Sequence, residues 1–524
     1  METPEHLKLG NRIRYVSTKA NPYLSVKEDV LHVTIMRHNG LDPEPVEALK
    51  VTSGEIVSMA GDYFTKAGLG SILNIPTRYP NETPVELGGR IIADDIEPDE
   101  INGMHEAYAD LSALNDRELI DKIFKIEEST YFPQSTINSY IHQLIFYFKV
   151  KDYGKKLTSN NDHFMPWSIR AYIIGHSLAL KHARLAYHLN QLANDETYSV
   201  DATVEPENAA YIDKLIQDSS GYHAAYCQKN YTELSHRHHA LAVGIELFAF
   251  HFYSDGFASG HMSRMGFLRQ ILSEKFGDKL GGLLVNCMHN EDNENGITVD
   301  DVYDTSQDND EATTAQGDGE IDSEKNKLNL QNCVDGMTLS LHDIERVCHG
   351  AKIPKQQNFG GFEKLPDIDL TKRQTQPMFV LYQGEVYVRE NIKVIKILSP
   401  TQYDDLMRED PSSQGYRKIT GKLDALQLAV KLKAMPFVFK GKIAPLTDDE
   451  RANIEQDEAN RASVLPENQD RKELHTTAKP NKEAGIHLVN WRRTKTTAKH
   501  AGQHYAMFKA QQAEAQNAQS LRPN

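Results

Sequence analysis

Two histidines and one aspartate in a single apolar helical segment are the residues of this chain best suited to chemistry. His251, Asp255 and His261 stand in the run HFYSDGFASGH, which begins at His251. A histidine and a carboxylate four residues apart share one face of a helix and can hold one hydrophilic group. Burying such groups among aromatic side chains is costly unless a partner compensates them, and metal ions bind imidazole and carboxylate together. The spacing therefore predicts that all three residues are metal ligands, with Asp255 able to bridge two ions.

Four further residues are candidate ligands elsewhere in the first 300 positions. Asp62 ends a helix that residues 52–55 begin with a capping-box pattern, and the helix dipole there favours a cation beside the carboxylate. His163 precedes another helix and can reach a site from the preceding loop. His289 ends a hydrophobic run and opens a polar stretch, for which a solvated loop is the alternative interpretation. His176 lies within a helix among apolar neighbours, where a hydrogen-bonded core histidine is an equally good interpretation.

Two other histidine groups are explained more simply without a metal. Residues 236–239 read His-Arg-His-His, and Ser235 before them predicts the first turn of a helix on the surface. His32 and His38 flank a short alternating segment, where strand alternation explains both residues equally well.

The elements that must position these residues are mostly helical. Periodicity predicts helices over residues 52–64, 115–127, 133–150, 166–193, 205–230, 236–260 and 264–276, the last of them on the surface. Clustered Asp, Asn and Glu predict an acidic loop at 290–326, and alternation over 378–398 predicts strands. The predicted fold class is mainly α. It comprises a helical metal-dependent catalytic domain of residues 1–350, a small β-containing domain of 370–446 and a polar, partly mobile tail of 447–524.

Composition excludes several classes of protein. The 524 residues carry a formal net charge of -16, which argues against nucleic-acid binding and against electrostatic adsorption to anionic membranes. The four cysteines lack the CxxC spacing of a zinc ribbon, and we expect neither a transmembrane segment nor a Sec signal peptide. The chain has no GxSxG nucleophile motif and no phosphate-binding glycine loop, so metal-activated water is the simplest chemistry.

At these positions the chain resembles the zinc-dependent phospholipases C of the type first described in Pseudomonas fluorescens and expanded in Legionella. The similar segments lie within roughly residues 50–350 and are 52–57 with 61–64, 161–164 with 175–176, 250–255 with 258–262, and 288–292 with 317–319. The resemblance implies hydrolysis of the glycerol–phosphate bond of phospholipids such as phosphatidylcholine, giving diacylglycerol and a phosphorylated head group. Two or three zinc ions and the water that they activate would carry out the reaction.

The resemblance also implies roles for individual residues and a place of action. The implied zinc ligands are Asp62, His163, His176, His251, Asp255, His261 and His289. Asp62 and Asp255 would take part in catalysis, the first as general base and the second as bridging ligand. Without a Sec signal, the chain is most similar to family members that type IV secretion delivers into host cells. This similarity implies a virulence effector that reaches the host cytoplasm and acts at membrane surfaces.

Two alternatives stay open at this point. One is a metal-dependent phosphodiesterase or nuclease, because helical zinc folds also cleave nucleic acid, although the acidic charge opposes this. The other is a non-enzymatic effector that holds metal structurally and binds a host protein through residues 350–524. Head-group preference, the number of metal ions and the oligomeric state do not follow from the sequence.

Overall fold

A computed structural model gives the fold of this chain. It describes residues 3–15, 17, 20–39, 42–61, 95–113, 117–128, 160–219, 224–300, 313–317, 319–369, 371–434 and 440–464. Asp62, the helix predicted over 133–150 and most of the predicted tail lie outside the described residues. With 63% helix and 14% strand the fold is mainly α, as the sequence predicts. Among the described helices, none combines the length and the apolar character that crossing a membrane requires.

The described helices are α1 (Thr3–Asn11), α2 (Ser53–Met59), α3 (Pro98–Ser112), α4 (Arg117–Glu128), α5 (Trp167–Asn194), α6 (Pro206–Ser219), α7 (Ala224–Asp255), α8 (Ser263–Phe276), α9 (Asp278–Asn295), α10 (Lys327–Cys348), α11 (Pro400–Arg408), α12 (Lys422–Ala434) and α13 (Asp448–Val464). Short 3-10 helices span Asn160–His163, Ser259–His261, Glu324–Asn326, Gln356–Asn358, Gly360–Lys364 and Pro411–Gln414. The described strands are β1 (Leu24–Lys27), β2 (Val30–Asn39), β3 (Asp42–Thr52), β4 (Ile297–Asp300), β5 (Thr313–Ala315), β6 (Asp367–Ile368), β7 (Gln374–Thr375), β8 (Phe379–Tyr382), β9 (Glu385–Arg389), β10 (Val394–Ile395), β11 (Ile397–Leu398), β12 (Tyr416–Lys418) and β13 (Lys442–Ile443).

Helices α5 and α7 form the centre of the molecule and run antiparallel. His176 faces Glu246, and further along α5 His182 faces His238, so the numbering rises on one helix while it falls on the other. Every residue of α7 from 240 to 255 is buried, as expected for a helix that is apolar on all sides. The two backbones approach closely at Gly175, where a Cβ atom would lie 2.5 Å from the Cβ of Ala249.

The structure differs from the prediction at the start of α7. This helix begins at Ala224, so residues 236–239 lie in its middle and not in a first turn on the surface. His238 and His239 are buried, and the Ser235 hydroxyl donates a hydrogen bond to the Ala186 carbonyl of α5 instead of capping a helix. The polar appearance of this run misled the prediction because its polar groups pair inside the protein.

An antiparallel sheet precedes α2, and the alternating segment between His32 and His38 forms part of its strand β2. Strands β1, β2 and β3 pair in sequence order, and β3 leads directly into α2. The predicted capping box is confirmed: the Glu55 amide donates to the Thr52 hydroxyl, and the Thr52 amide donates to the Glu55 carboxylate. Helix α1 packs on α2, where Gly10 and Gly54 allow the backbones to meet. This arrangement brings the N-terminal helix against the end of α7.

The predicted strands near residue 380 are confirmed. Strands β8 and β9 form a hairpin whose turn is Gln383-Gly384, both with positive φ, and β12 pairs with β9. Their apolar side chains pack on α8, α9 and α12, so α8 is partly buried and not the surface helix that its polarity suggested. The segment 290–326 likewise contains the end of α9 and strands β4 and β5, although residues 301–312 lie outside the described residues. Helix α13 is docked through an ion pair between Glu458 and Arg373.

Candidate metal centre

The carboxylate of Asp255 lies among four histidines. Its Oδ1 atom is 2.9 Å from His261 Nδ1 and 3.4 Å from His6 Nε2. Its Oδ2 atom is 2.8 Å from His163 Nδ1 and 3.7 Å from His251 Nε2. Asp255, His6 and His251 are fully buried, and His163 and His261 are 3% and 6% exposed. Each oxygen of one carboxylate therefore faces two imidazoles inside the protein.

Three local structures bring the sequence-predicted residues of this cluster together. His251 and Asp255 stand one turn apart at the end of α7, as their spacing predicts. The chain then turns, and the 3-10 helix with His261 folds back, with the His261 amide donating to the Ala258 carbonyl. His163 ends the 3-10 helix before α5, and the Met165 amide donates to the His261 carbonyl. That backbone hydrogen bond ties the segments of His163 and His261 to each other.

His6 is the site residue that the sequence analysis missed. Its Nδ1 atom lies 2.9 Å from the Ser254 hydroxyl, and its ring stacks on that of His251 with centroids 4.0 Å apart. Helix α1 supplies it, and the position of that helix depends on contacts with α2 and α7. The available signal was weak: His6 shares the buried face of a nine-residue helix with Leu9 and Gly10. Nothing in the spacing of the chain connects it to Asp255.

A hydrogen bond on the side of the ring away from the cluster fixes the orientation of His251. Its Nδ1–H donates to the Val57 carbonyl of α2 over 2.8 Å, which leaves the Nε2 lone pair directed into the cluster. There Nε2 lies 3.1 Å from Nδ1 of His163. Gly61 closes the space above these rings: a Cβ atom at this position would be 2.0 Å from His251 Nε2 and 2.5 Å from His163 Cε1. Only a residue without a side chain fits here.

Burial and mutual interaction set the protonation of the cluster. Burial lowers the pKa of His251 well below its ordinary value and lowers the pKa of His261 to about 3. Burial alone would raise the pKa of Asp255, but the imidazoles of His261 and His163 hold it well below its usual range. The carboxylate is therefore ionised, and His251 and His261 are neutral, which are the forms that bind a metal ion.

His289 lies at the edge of this cluster. It is half-buried on α9, and its ring centroid is 4.8 Å from that of His261. The Asn293 side-chain amide donates to His289 Nε2, while its oxygen accepts from the Gly260 amide. Asp62, which follows Gly61 in the sequence, lies outside the described residues.

The structure does not bring His176 to the cluster. Its Nδ1 atom is 2.8 Å from the Glu246 carboxylate, and Glu246 precedes Asp255 by nine residues on α7, a rise of about 13 Å along the helix. Burial would lower the pKa of His176, but Glu246 and Asp343 raise it to about 9. A protonated imidazole in a buried ion pair has no lone pair for a metal. His176 is thus the core histidine of the alternative interpretation.

The donors around Asp255 fit metal ions of the zinc type. Two zinc–nitrogen bonds of about 2.0–2.1 Å at a tetrahedral angle separate their nitrogens by about 3.4 Å. The contacts between neighbouring donor atoms in the cluster, 2.8–3.7 Å, lie on either side of this spacing. One geometric grouping of potential ligands in the described residues is His6, His251 and Asp255. Four imidazoles around a buried carboxylate match the preference of zinc for nitrogen and carboxylate oxygen.

Comparison with known proteins yields no match to this chain among family models, curated proteins or solved structures.

Proposed function

We propose that this protein is a zinc-dependent phospholipase C that hydrolyses the glycerol–phosphate bond of phospholipids such as phosphatidylcholine. The observation that carries the proposal is that each oxygen of the Asp255 carboxylate lies beside two imidazoles. His6 and His261 are at one oxygen, and His163 and His251 are at the other. A bridging carboxylate with two imidazoles on each side is a ligand set for two ions. Each ion would then have three protein ligands and an open position, as catalytic zinc sites do.

Bound zinc supplies a Lewis acid for the phosphodiester oxygens and lowers the pKa of water. The residues of this chain compensate the charge of the ions and orient the ligands. Asp255 stays ionised because neighbouring imidazoles stabilise its charge, and it offsets the positive charge of the ions. His251 is held in one tautomer by the Val57 carbonyl, so its ligating nitrogen needs no reorganisation. Gly61 has no Cβ atom, which would otherwise collide with the rings of His251 and His163.

Two residues stay as candidates for further roles at this site. His289 is half-buried next to His261 and is suited to bind a third ion or to contact the head group. Asp62 directly follows Gly61 in the sequence, and we retain it as a zinc ligand and general base. The choice of phospholipid over other phosphodiesters rests on the resemblance of these segments to phospholipases C and on the acidic charge of the chain. Action at host membranes after type IV delivery rests on the same resemblance.

The test combines metal analysis with lipid hydrolysis. The purified full-length protein is analysed for zinc and incubated with phosphatidylcholine vesicles, and released phosphocholine is measured. We expect bound zinc and activity in the wild type, and a lower zinc content with no activity in Asp255→Asn. His342→Ala serves as the matched control because His342 is an exposed histidine on α10 away from the cluster.

Three results would contradict the proposal. One is zinc-free wild-type protein that still cleaves lipid. Another is Asp255→Asn with wild-type zinc content and activity. The third is a zinc-loaded, folded wild type that cleaves only nucleic acid, which would point to the nuclease alternative.

A further inference from the structure

A second group of histidines lies elsewhere in the helical core. His38 of β2, His105 of α3 and His182 of α5 each offer a nitrogen, and these atoms lie within 4.8 Å of one another. Nδ1 of His38 is 3.3 Å from Nδ1 of His105, and Nδ1 of His182 is 3.1 Å from Nδ1 of His238 on α7. Four elements distant in sequence thus converge through imidazoles. We call these four residues the His38 cluster.

The hydrogen bonding of this cluster leaves nitrogens available. Among the described residues, the buried Nε2 atoms of His38, His182 and His238 have no hydrogen-bond partner. A histidine that binds a metal uses one nitrogen for the ion and donates the other N–H to an acceptor. His182 has this arrangement when it donates its Nδ1–H to His238, since its Nε2 lone pair is then free. His182 and His238 are 3% and 0% exposed, so bulk solvent does not reach these atoms.

Burial keeps the imidazoles of this cluster unprotonated. Burial lowers the pKa of His105 to about 4 and that of His238 to about 3. Burial also lowers the pKa of His182 well below its ordinary value, and the other imidazoles and Lys181 act in the same direction. Protons do not compete for these nitrogens at neutral pH. His176 has the opposite protonation state, because its carboxylate neighbours stabilise the protonated imidazole.

We propose that His38, His105 and His182 bind one divalent transition metal ion of the zinc type, with His238 orienting His182. The 3.3 Å between the Nδ1 atoms of His38 and His105 is close to the roughly 3.4 Å between two ligands of a tetrahedral zinc ion. An all-imidazole set excludes magnesium and calcium, which prefer oxygen ligands. The ion joins strand β2 and helix α3 to the α5–α7 pair, and its role is to stabilise this packing.

The His38 cluster is separate from the cluster around Asp255. His238 and His251 are thirteen residues apart on the same helix, a rise of about 20 Å. The two clusters share no ligand. Loss of one ion should therefore leave the other in place, and this independence makes the proposal testable apart from the proposed function.

Metal titration of variants tests the site. The chelator-stripped full-length protein is titrated with cobalt(II), a zinc substitute whose visible absorption reports tetrahedral coordination, and zinc is counted after reloading. His38→Gln/His105→Gln is compared with His32→Gln, a matched control on the same strand whose half-buried histidine contacts the Val30 carbonyl. We expect the double variant to bind one equivalent fewer than the control and to keep its phosphocholine-releasing activity. We expect Asp255→Asn to retain the cobalt absorption of the His38 cluster.

Two results would overturn the proposal: a double variant that binds as many equivalents as His32→Gln, or an Asp255→Asn protein with no remaining cobalt site. Circular dichroism establishes whether each variant is folded. If the double variant is unfolded, His105→Gln alone replaces it, because His105 is half-buried and its loss leaves the core intact. We expect this single variant to bind cobalt at the cluster about 10–100-fold more weakly. Unchanged affinity in a folded His105→Gln protein would refute the assignment.

Discussion

Substituting Gly61 by alanine should disable the metal centre through a single methyl group. The new Cβ would lie 2.0 Å from His251 Nε2, and ordinary van der Waals contact begins near 3.4 Å, so the ring must move by about 1.4 Å. Metal–ligand distances tolerate only about 0.2 Å. The ring cannot retreat freely, because its Nδ1–H is bonded to the Val57 carbonyl. We expect zinc affinity to fall at least about 10–100-fold and lipid hydrolysis by about 100-fold or more.

The matched control for Gly61→Ala is Gly282→Ala. A Cβ atom at Gly282, on helix α9, would meet nothing within 4 Å. Alanine there should raise the free energy of unfolding by roughly 0.5–1 kcal/mol through helix propensity. Zinc affinity is measured by competition with a chromogenic chelator, and thermal unfolding of the stripped proteins checks the fold. Wild-type zinc affinity and hydrolysis in folded Gly61→Ala would refute the placement of His251 and His163 beside this glycine.

Three further predictions concern the remaining contacts. His6→Gln should weaken zinc binding at least about tenfold while the protein stays folded, and unchanged zinc content by metal analysis would remove His6 from the site. His176→Gln should leave zinc content unchanged but lower the free energy of unfolding by about 3–5 kcal/mol, because Glu246 is left buried without its cation. The folded pKa of His176, about 9, exceeds the unfolded value of about 6.5, so its stabilising effect is complete below pH 6.5 and disappears as the pH rises through 9. Denaturant titrations at pH 6 and pH 9.5 should show this decline in the wild type and not in His176→Gln, and parallel behaviour of the two proteins would contradict it. Arg264→Leu should lower the free energy of unfolding by a similar amount, about 3–5 kcal/mol, because Asp292 is left unpaired in the core. If Arg264→Leu and Arg264→Lys unfold at the same denaturant concentration, this ion pair does not stabilise the fold.

The sequence predicted best where one helix carries the information. His251 and Asp255 are one turn apart, and periodicity alone puts them on one face; the capping box at Thr52 is equally local. His261 entered the prediction with them and His163 as a separate candidate. The meeting of these two histidines depends on a turn after α7 and on a backbone hydrogen bond from the Met165 amide to the His261 carbonyl. Contacts between distant segments leave no periodic pattern in the sequence, so sequence analysis does not predict them.

The predictions failed where a polar residue finds its partner in a distant segment. His238 and His239 were assigned to the surface because Ser235 before them predicted the first turn of a helix. The structure instead buries both residues, and α5 and α10 supply their partners. His176 had two interpretations until the structure placed Glu246 against it. His6 gave no usable signal because its role depends on the packing of α1 against α2, which two glycines permit.

The contribution of helix α1 has a consequence for the synthesis of the protein. During synthesis, His261 is added 255 residues after His6. At about 5–20 residues per second, this delay is roughly 13–50 s. During that time the nascent chain lacks at least one residue of the cluster. The entropic cost of closing so long a loop is offset only when its ends pack together. Any catalysis at Asp255 is therefore absent from nascent chains and from fragments that stop before residue 261.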